Sequence, residues 1–278
     1  AFPGKIAEGS FTWEDFIALC QEVQEKDLVE WGMVHRPGKG NDFLDVLRMY
    51  GPAYYNEEEK LVVNQETVTG FFQFIYDAAN TLKITPQDTT QRVWTDLQKM
   101  VGEGDVFAYY GPVFSSTYVA AEANMTPEEL AQSIGFALFP KSEKNETPFS
   151  VAAPQSVSVN ANTEYPEVCK ALLEEVYAGE AVKDLAVHGD TIFSLTAVTA
   201  ANEMEEITTN PILESIGYMA DYVVTTPPIE GESVFRDELF KQLVLLELGQ
   251  VTPEKAFEDF KTQVELNVDE DEVVFELN

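Results

Sequence analysis

The chain has 278 residues and is 45% hydrophobic, enough to bury one large lobe or two modest ones. Its 49 acidic residues against 17 Lys and Arg give a formal net charge of −32. Such a field repels polyanions, which excludes nucleic acid and anionic membrane surfaces as partners, since both are held through cationic side chains.

The opening Ala1-Phe2-Pro3-Gly4 carries no signal peptide and reads as a processed or truncated start. The first well-marked helix begins at Thr12, an N-cap hydroxyl with Asp15 three residues on, followed by Phe16, Leu19, Cys20 and Val23 at helical spacing. The apolar run Trp31-Gly32-Met33-Val34 predicts a buried strand, and the glycines and proline over 35–40 predict a loop after it. Helices are predicted over 43–50, closed by Gly51-Pro52, and over 65–80, with Phe71, Phe72, Phe74, Ile75 and Ala78 on one side. A helix over 93–100 precedes a strand over 106–110, which runs into Gly111-Pro112.

Thr126-Pro127-Glu128-Glu129 opens a short helix with proline in its first turn, and 134–139 reads as a strand. Residues 156–160 alternate as a strand does, and helices follow over 164–177, 181–187, 210–224, 233–248 and 253–264. The acidic end, 268–277, reads either as an added edge strand or as a disordered tail. Strands alternate with helices throughout, so the expected class is α/β with a mainly parallel sheet.

The carboxylates are dispersed rather than gathered in a tail, the pattern of a solvated surface. We read this as adaptation to high salt, with an ordinary acidic secreted protein as the alternative, since Lys outnumbers Arg. Cys20 and Cys169 match no metal or redox spacing, and both sit in apolar helical patterns, so buried free thiols are expected. Asn124-Met125-Thr126 and Asn145-Glu146-Thr147 are glycosylation sequons.

No catalytic fingerprint stands out. His35 and His188 are the only histidines and lie in no metal-binding spacing; no Gly-x-Ser-x-Gly elbow is present, and Gly38-Lys39-Gly40 lacks P-loop spacing. Neither metal nor cofactor is expected. The remaining signal is a set of aromatics at strand ends and loops: Trp31, Tyr54, Tyr55, Tyr109, Tyr110, Phe114, Tyr118 and Phe235. Aromatic faces suit the C–H face of a pyranose, while polar rims take its hydroxyls. Ligands of open α/β sheets bind beyond the carboxyl ends of strands, which favours the segment from Tyr110 to Phe114, the loop with Arg36, Lys39, Asn41 and Asp42, and Pro154-Gln155.

Five landmarks occur in a definite order. They are Thr12-Trp13-Glu14-Asp15, the helix over 45–51 with Leu61-Val62-Val63-Asn64 beyond it, Tyr109-Tyr110-Gly111-Pro112, Thr147-Pro148-Phe149 leading to 156–160, and the run from Leu248 through Thr252-Pro253 to Phe257. In this order the chain resembles the maltose-binding-like extracellular solute-binding proteins that serve ABC importers. The resemblance implies a two-lobed, periplasmic-binding-protein-like type II fold with one lobe incomplete, because the family's N-terminal third precedes the first landmark. It places 1–147 and 199–265 in the C-terminal lobe, 148–198 in a segment returning to the N-terminal lobe, and 266–278 in an acidic extension.

It also implies a sugar ligand, an ABC permease as partner, a separate chain as one source of the missing surface, and a cell-surface location held by a lipid or membrane anchor. The returning segment would leave an apolar face open. The aromatic that often follows the family's Gly-Pro is Val113 here, with Phe114 next, and the helix that often presents a stacking aromatic carries Phe235 and Arg236. Two other readings stand beside this one: a surface or structural protein that keeps the fold without transport, and a glycan hydrolase.

Overall fold

The computed structural model describes residues 2–39, 44–152, 157–178, 195 and 199–277. In chain order the elements are α1 (Phe2–Ala7), α2 (Trp13–Glu25), β1 (Trp31–His35), α3 (Leu44–Leu47), β2 (Leu61–Asn64), α4 (Gln65–Tyr76), α5 (Trp94–Glu103), β3 (Val106–Tyr110), α6 (Ser115–Ala123) and α7 (Pro127–Ser133). There follow β4 (Ser150–Val151), α8 (Pro166–Val176), α9 (Thr199–Asn202), α10 (Glu205–Thr208), α11 (Pro211–Ile216), β5 (Val223–Val224), α12 (Glu232–Glu247), α13 (Pro253–Asn267) and β6 (Val273–Glu276).

The helix starts follow local chemistry. Thr12 accepts from the Asp15 amide while Asp15 reaches back to the Thr12 amide, a reciprocal cap that satisfies two otherwise orphaned donors. Thr126 and Glu129 repeat the device at α7, and Asn64 and Thr252 cap α4 and α13. Gly231, at the head of α12, has φ 78°, and a Cβ there would lie 2.6 Å from Val268, so glycine alone fits the turn.

The core is built from helices crossing over short sheets. Phe71, Phe72 and Ile75 of α4 meet Phe235, Leu239, Leu243 and Leu246 of α12 and Phe257 and Phe260 of α13, all buried. Phe260 stands edge-on to both Phe72 and Phe235. On the other side α2 lies on β1 at close range: a Cβ on Gly32 would sit 2.6 Å from the Cβ of Cys20 and 3.0 Å from its carbonyl oxygen. Gly32→Ala must therefore push α2 off the strand. Urea melts are expected to show a loss of about 1–3 kcal/mol.

The named strands of the described residues pair in parallel, as expected, but in separate short sheets. The described strands form three two-stranded parallel pairs, β1 with β3, β2 with β6, and β4 with β5. The acidic end is thus an edge strand at Val273–Glu276, where Asn64 donates to Glu276 at 2.7 Å. Residues 134–138 are irregular, and only Phe139 makes a bridge, to Phe149. Their alternation is real, but a strand needs a neighbour and here the backbone finds one at a single residue. Likewise 157–160 form no strand, and residue 156 lies outside the described residues.

The helix expected over 43–50 is one turn long, 65–80 passes into a π turn at Asp77–Thr81, and 210–224 breaks into α11, a 3₁₀ turn at Gly217–Tyr222 and β5. In the π turn Asn80 donates to the carbonyls of Tyr76 and Leu246, which ties this end of α4 to α12. The helix expected over 181–187 lies outside the described residues. Both cysteines are free; Cys20 is buried, its thiol pushed up to about 12 by burial, whereas Cys169 is only half-buried. Among the described residues no helix is long and apolar enough to cross a membrane.

Candidate ligand-binding site

The register of β1 and β3 decides where the loops meet. His35 pairs with Tyr110, so both strands end on the same edge, and the Arg36 amide donates to the Tyr110 carbonyl at 3.1 Å just beyond them. Arg36 to Lys39 and Gly111 to Phe114 therefore leave the sheet side by side. This is the carboxyl edge of a parallel pair, where α/β folds place ligands.

Two ion pairs bind α12 to this edge. His35 is 1% exposed, and its Nε2 lies 2.5 Å from Oε1 of Glu247, which is also 1% exposed and ends α12. Burial by itself lowers the pKa of His35, but the Glu247 charge and hydrogen bond outweigh it, so the net shift is upward. Lys39 forms the second pair, with Asp237 in the first half of α12. The Arg36 guanidinium lies 4.1 Å above the centre of the Trp94 ring. The Tyr110 hydroxyl donates to Asp45 at 2.7 Å, and its ring meets Phe139 edge-on at 4.9 Å.

Of the residues singled out in the sequence, Arg36, Lys39 and Tyr110 converge on this edge, followed along the chain by Val113 and Phe114. Val113 packs into two small apolar clusters with Phe136 rather than standing free, and Phe114 is 39% exposed. Phe235 has no exposed surface: its ring stacks on Tyr54 at 5.2 Å and meets Phe260 at 5.1 Å, which makes it core. Arg236, beside it, is ion-paired with Glu232, which also accepts from the Tyr54 hydroxyl. Asn41, Asp42 and Gln155 lie outside the described residues.

Residues not anticipated at the site are Trp94, Asp45 and Asp237, none of which carries a local signal. Tyr118, 47% exposed, follows Phe114 by four residues at the start of α6, a spacing that puts both rings on one side. Among the described residues no cluster of His, Cys, Asp and Glu is arranged to hold a metal ion.

Parallel strand pairs flanked by helices, with a polar and aromatic edge at their carboxyl ends, define an α/β binding protein of the periplasmic-binding-protein-like class. Residues 7–215 match the model of the bacterial extracellular solute-binding proteins, and the chain belongs to that family, which is one of binding proteins rather than enzymes. Its fold is similar to that of the maltose/maltodextrin-binding domain MalE from Bdellovibrio bacteriovorus bound to maltotriose, with a TM-score of 0.68 at 18% identity over 92% of this chain and 66% of that one. The maltose-bound MalE3 of T. maritima gives 0.69 at 14% identity over 92% and 65%. The maltose-maltodextrin binding protein of Alicyclobacillus acidocaldarius gives 0.65 at 13% identity over 92% and 65%. The chain thus spans slightly less than two thirds of the length of these structures. No curated protein sequence matches it.

Proposed function

We propose that the chain belongs to a two-lobed clamp that binds a sugar or oligosaccharide, makes and breaks no bond, and delivers its ligand to the permease of an ABC importer at the cell surface, where a lipid or membrane anchor holds it. The observation that carries this reading is the β1–β3 edge. It gathers Arg36, Lys39 and Tyr110 with a segment bearing two exposed aromatics, Phe114 and Tyr118, the mixture of donors and rings that a pyranose requires. The fold shared with proteins seen holding maltose and maltotriose supports the same ligand class.

In this reading residues 1–147 and 199–265 form the C-terminal lobe, 148–198 return to the N-terminal lobe, and 266–278 are an acidic extension. β4 and β5, far apart in sequence yet paired, are the crossing segments about which closure occurs. α8, within the returning segment, buries none of its residues and exposes Val168 and Leu172, with Tyr165 exposed just before it. That apolar face is covered by the part of the clamp the chain does not span, on the same polypeptide or on a separate chain. The surface charge fits a protein working at high salt.

Calorimetric titration with glucose, maltose, maltotriose and polyols tests the ligand class. At least one sugar is expected to bind with a Kd of about 1 μM, and Phe114→Ala or Tyr118→Ala to weaken it about tenfold through lost ring contact. No binding to any sugar overturns the reading.

A further inference from the structure

A groove of about 270 Å³ opens where the end of α3, the residues leading into β4 and those leading into β5 come together. Pro148, Phe149, Val223 and Val224 give it an apolar lining, and Arg48 and Asp221 bring one charge of each sign. This groove borders the β1–β3 edge without sharing a lining residue with it: Phe149 stacks on Phe139, which meets Tyr110, and Arg48 follows α3, whose Asp45 accepts from Tyr110.

Of its two charges Arg48 stands out, because it holds no carboxylate of a described residue; Asp221 is exposed and, like most acids of this chain, has no cation beside it among the described residues. Arg48 donates from Nη2 to the Thr226 hydroxyl at 3.3 Å and lies 5.9 Å from the centre of the Tyr55 ring, while its Nε is buried without a hydrogen-bond partner. By contrast Arg92 and Arg236 each hold a carboxylate. Asp221 makes no hydrogen bond or ion pair with a described residue, Arg48 included. With 49 acidic residues in the chain, an arginine that holds no carboxylate of a described residue is notable.

Opposite charges that line one groove without touching each other leave a gap that a small molecule carrying both charges fills. A ligand with one charge leaves the other protein group partly desolvated and unpaired, which costs binding energy. We infer that the groove is a second binding site, for a small zwitterion of the α-amino acid type with an apolar side chain: its carboxylate meets Arg48, its ammonium meets Asp221, and its side chain lies on the apolar lining. The volume equals roughly nine waters at about 30 Å³ each, room for a molecule of valine's size.

The site is tested by ¹H–¹⁵N NMR titration of the whole chain with L-valine, isovalerate and isobutylamine at matched ionic strength, the last two being valine without its ammonium and without its carboxylate. Valine is expected to shift the Val223 and Val224 amides saturably, with the two half-molecules binding at least about tenfold more weakly. Asp221→Asn should reduce valine to the affinity of isovalerate, and Arg48→Gln should reduce it to that of isobutylamine. Asp221 is exposed, so its variant carries the test even if the Arg48 variant fails to fold. No saturable shift at the groove, isovalerate binding as tightly as valine, or unchanged valine binding by Asp221→Asn each overturns the proposal. Sugar binding is read separately on the same sample, from the amides of Arg36, Lys39, Tyr110, Val113 and Phe114.

Discussion

Replacing His35 by alanine is expected to cost about 3–5 kcal/mol, among the largest single losses available in this chain, because it strands the Glu247 carboxylate in the interior. Both residues are 1% exposed, and only one carboxylate oxygen is bonded; Oε2 of Glu247 is buried without a hydrogen-bond partner. Removing the imidazole therefore leaves a charge with neither water nor a counter-ion, and the pocket answers by protonating it or by opening. Glu247→Gln should cost less, since the neutral imidazole it leaves tolerates burial. Urea melts of the two variants check both the size and the order of the effects. Because His35 immediately precedes Arg36 and Glu247 ends α12, the alanine variant should also loosen the ligand edge and weaken any sugar that binds there.

The same pair sets a pH dependence of known sign. The native pKa of His35 lies above the ordinary value of 6.5, so the folded chain holds this proton more tightly than the unfolded one. The stabilisation is complete below about pH 6.5 and is lost as pH rises through the native pKa. Melts between about pH 6 and about pH 9 should show stability declining toward the alkaline end in the parent chain. In Glu247→Gln the decline should vanish, since burial alone then favours the uncharged ring. A parent chain equally stable across this range would show that the histidine is not held charged.

The melting temperature is expected to rise by about 10 °C or more between about 0.1 M and about 2 M potassium chloride, equivalent to several kcal/mol for a chain of this size. If every Lys and Arg took one carboxylate, 32 carboxylates would still lack a cation. Their mutual repulsion extends over about 10 Å at 0.1 M salt but only about 3 Å at 1 M, so added ions relieve the compact state more than the expanded one. Sucrose, which favours compact states by exclusion without screening charge, separates the two causes and should give a much smaller rise. A melting temperature flat or falling with salt would remove the case for adaptation to a saline medium.

Much of this protein is written locally in its sequence. The reciprocal caps at Thr12 and Thr126, the strands at 31–35 and 106–110, the helices over 232–247 and 253–267, the sign of the surface charge and the family's ordered landmarks all rest on residues within a turn or two of one another. The candidate edge was legible to the same extent, since Arg36, Lys39 and Tyr110 mark the ends of two apolar runs.

What only the tertiary structure decided depends on partners remote in the chain. Phe235 reads as a candidate ligand-stacking aromatic beside an arginine until Tyr54 and Phe260 enclose it. The alternation over 134–139 reads as a strand until its backbone is seen to find only Phe149. His35 finds its carboxylate 212 residues away, and Arg48 and Asp221 line one groove although nothing near either in the sequence points to the other. Hydrophobic period and capping are short-range properties, so sequence specifies elements; burial, charge pairing and strand neighbours are set by which elements pack together, and that is fixed only when the whole chain closes its core.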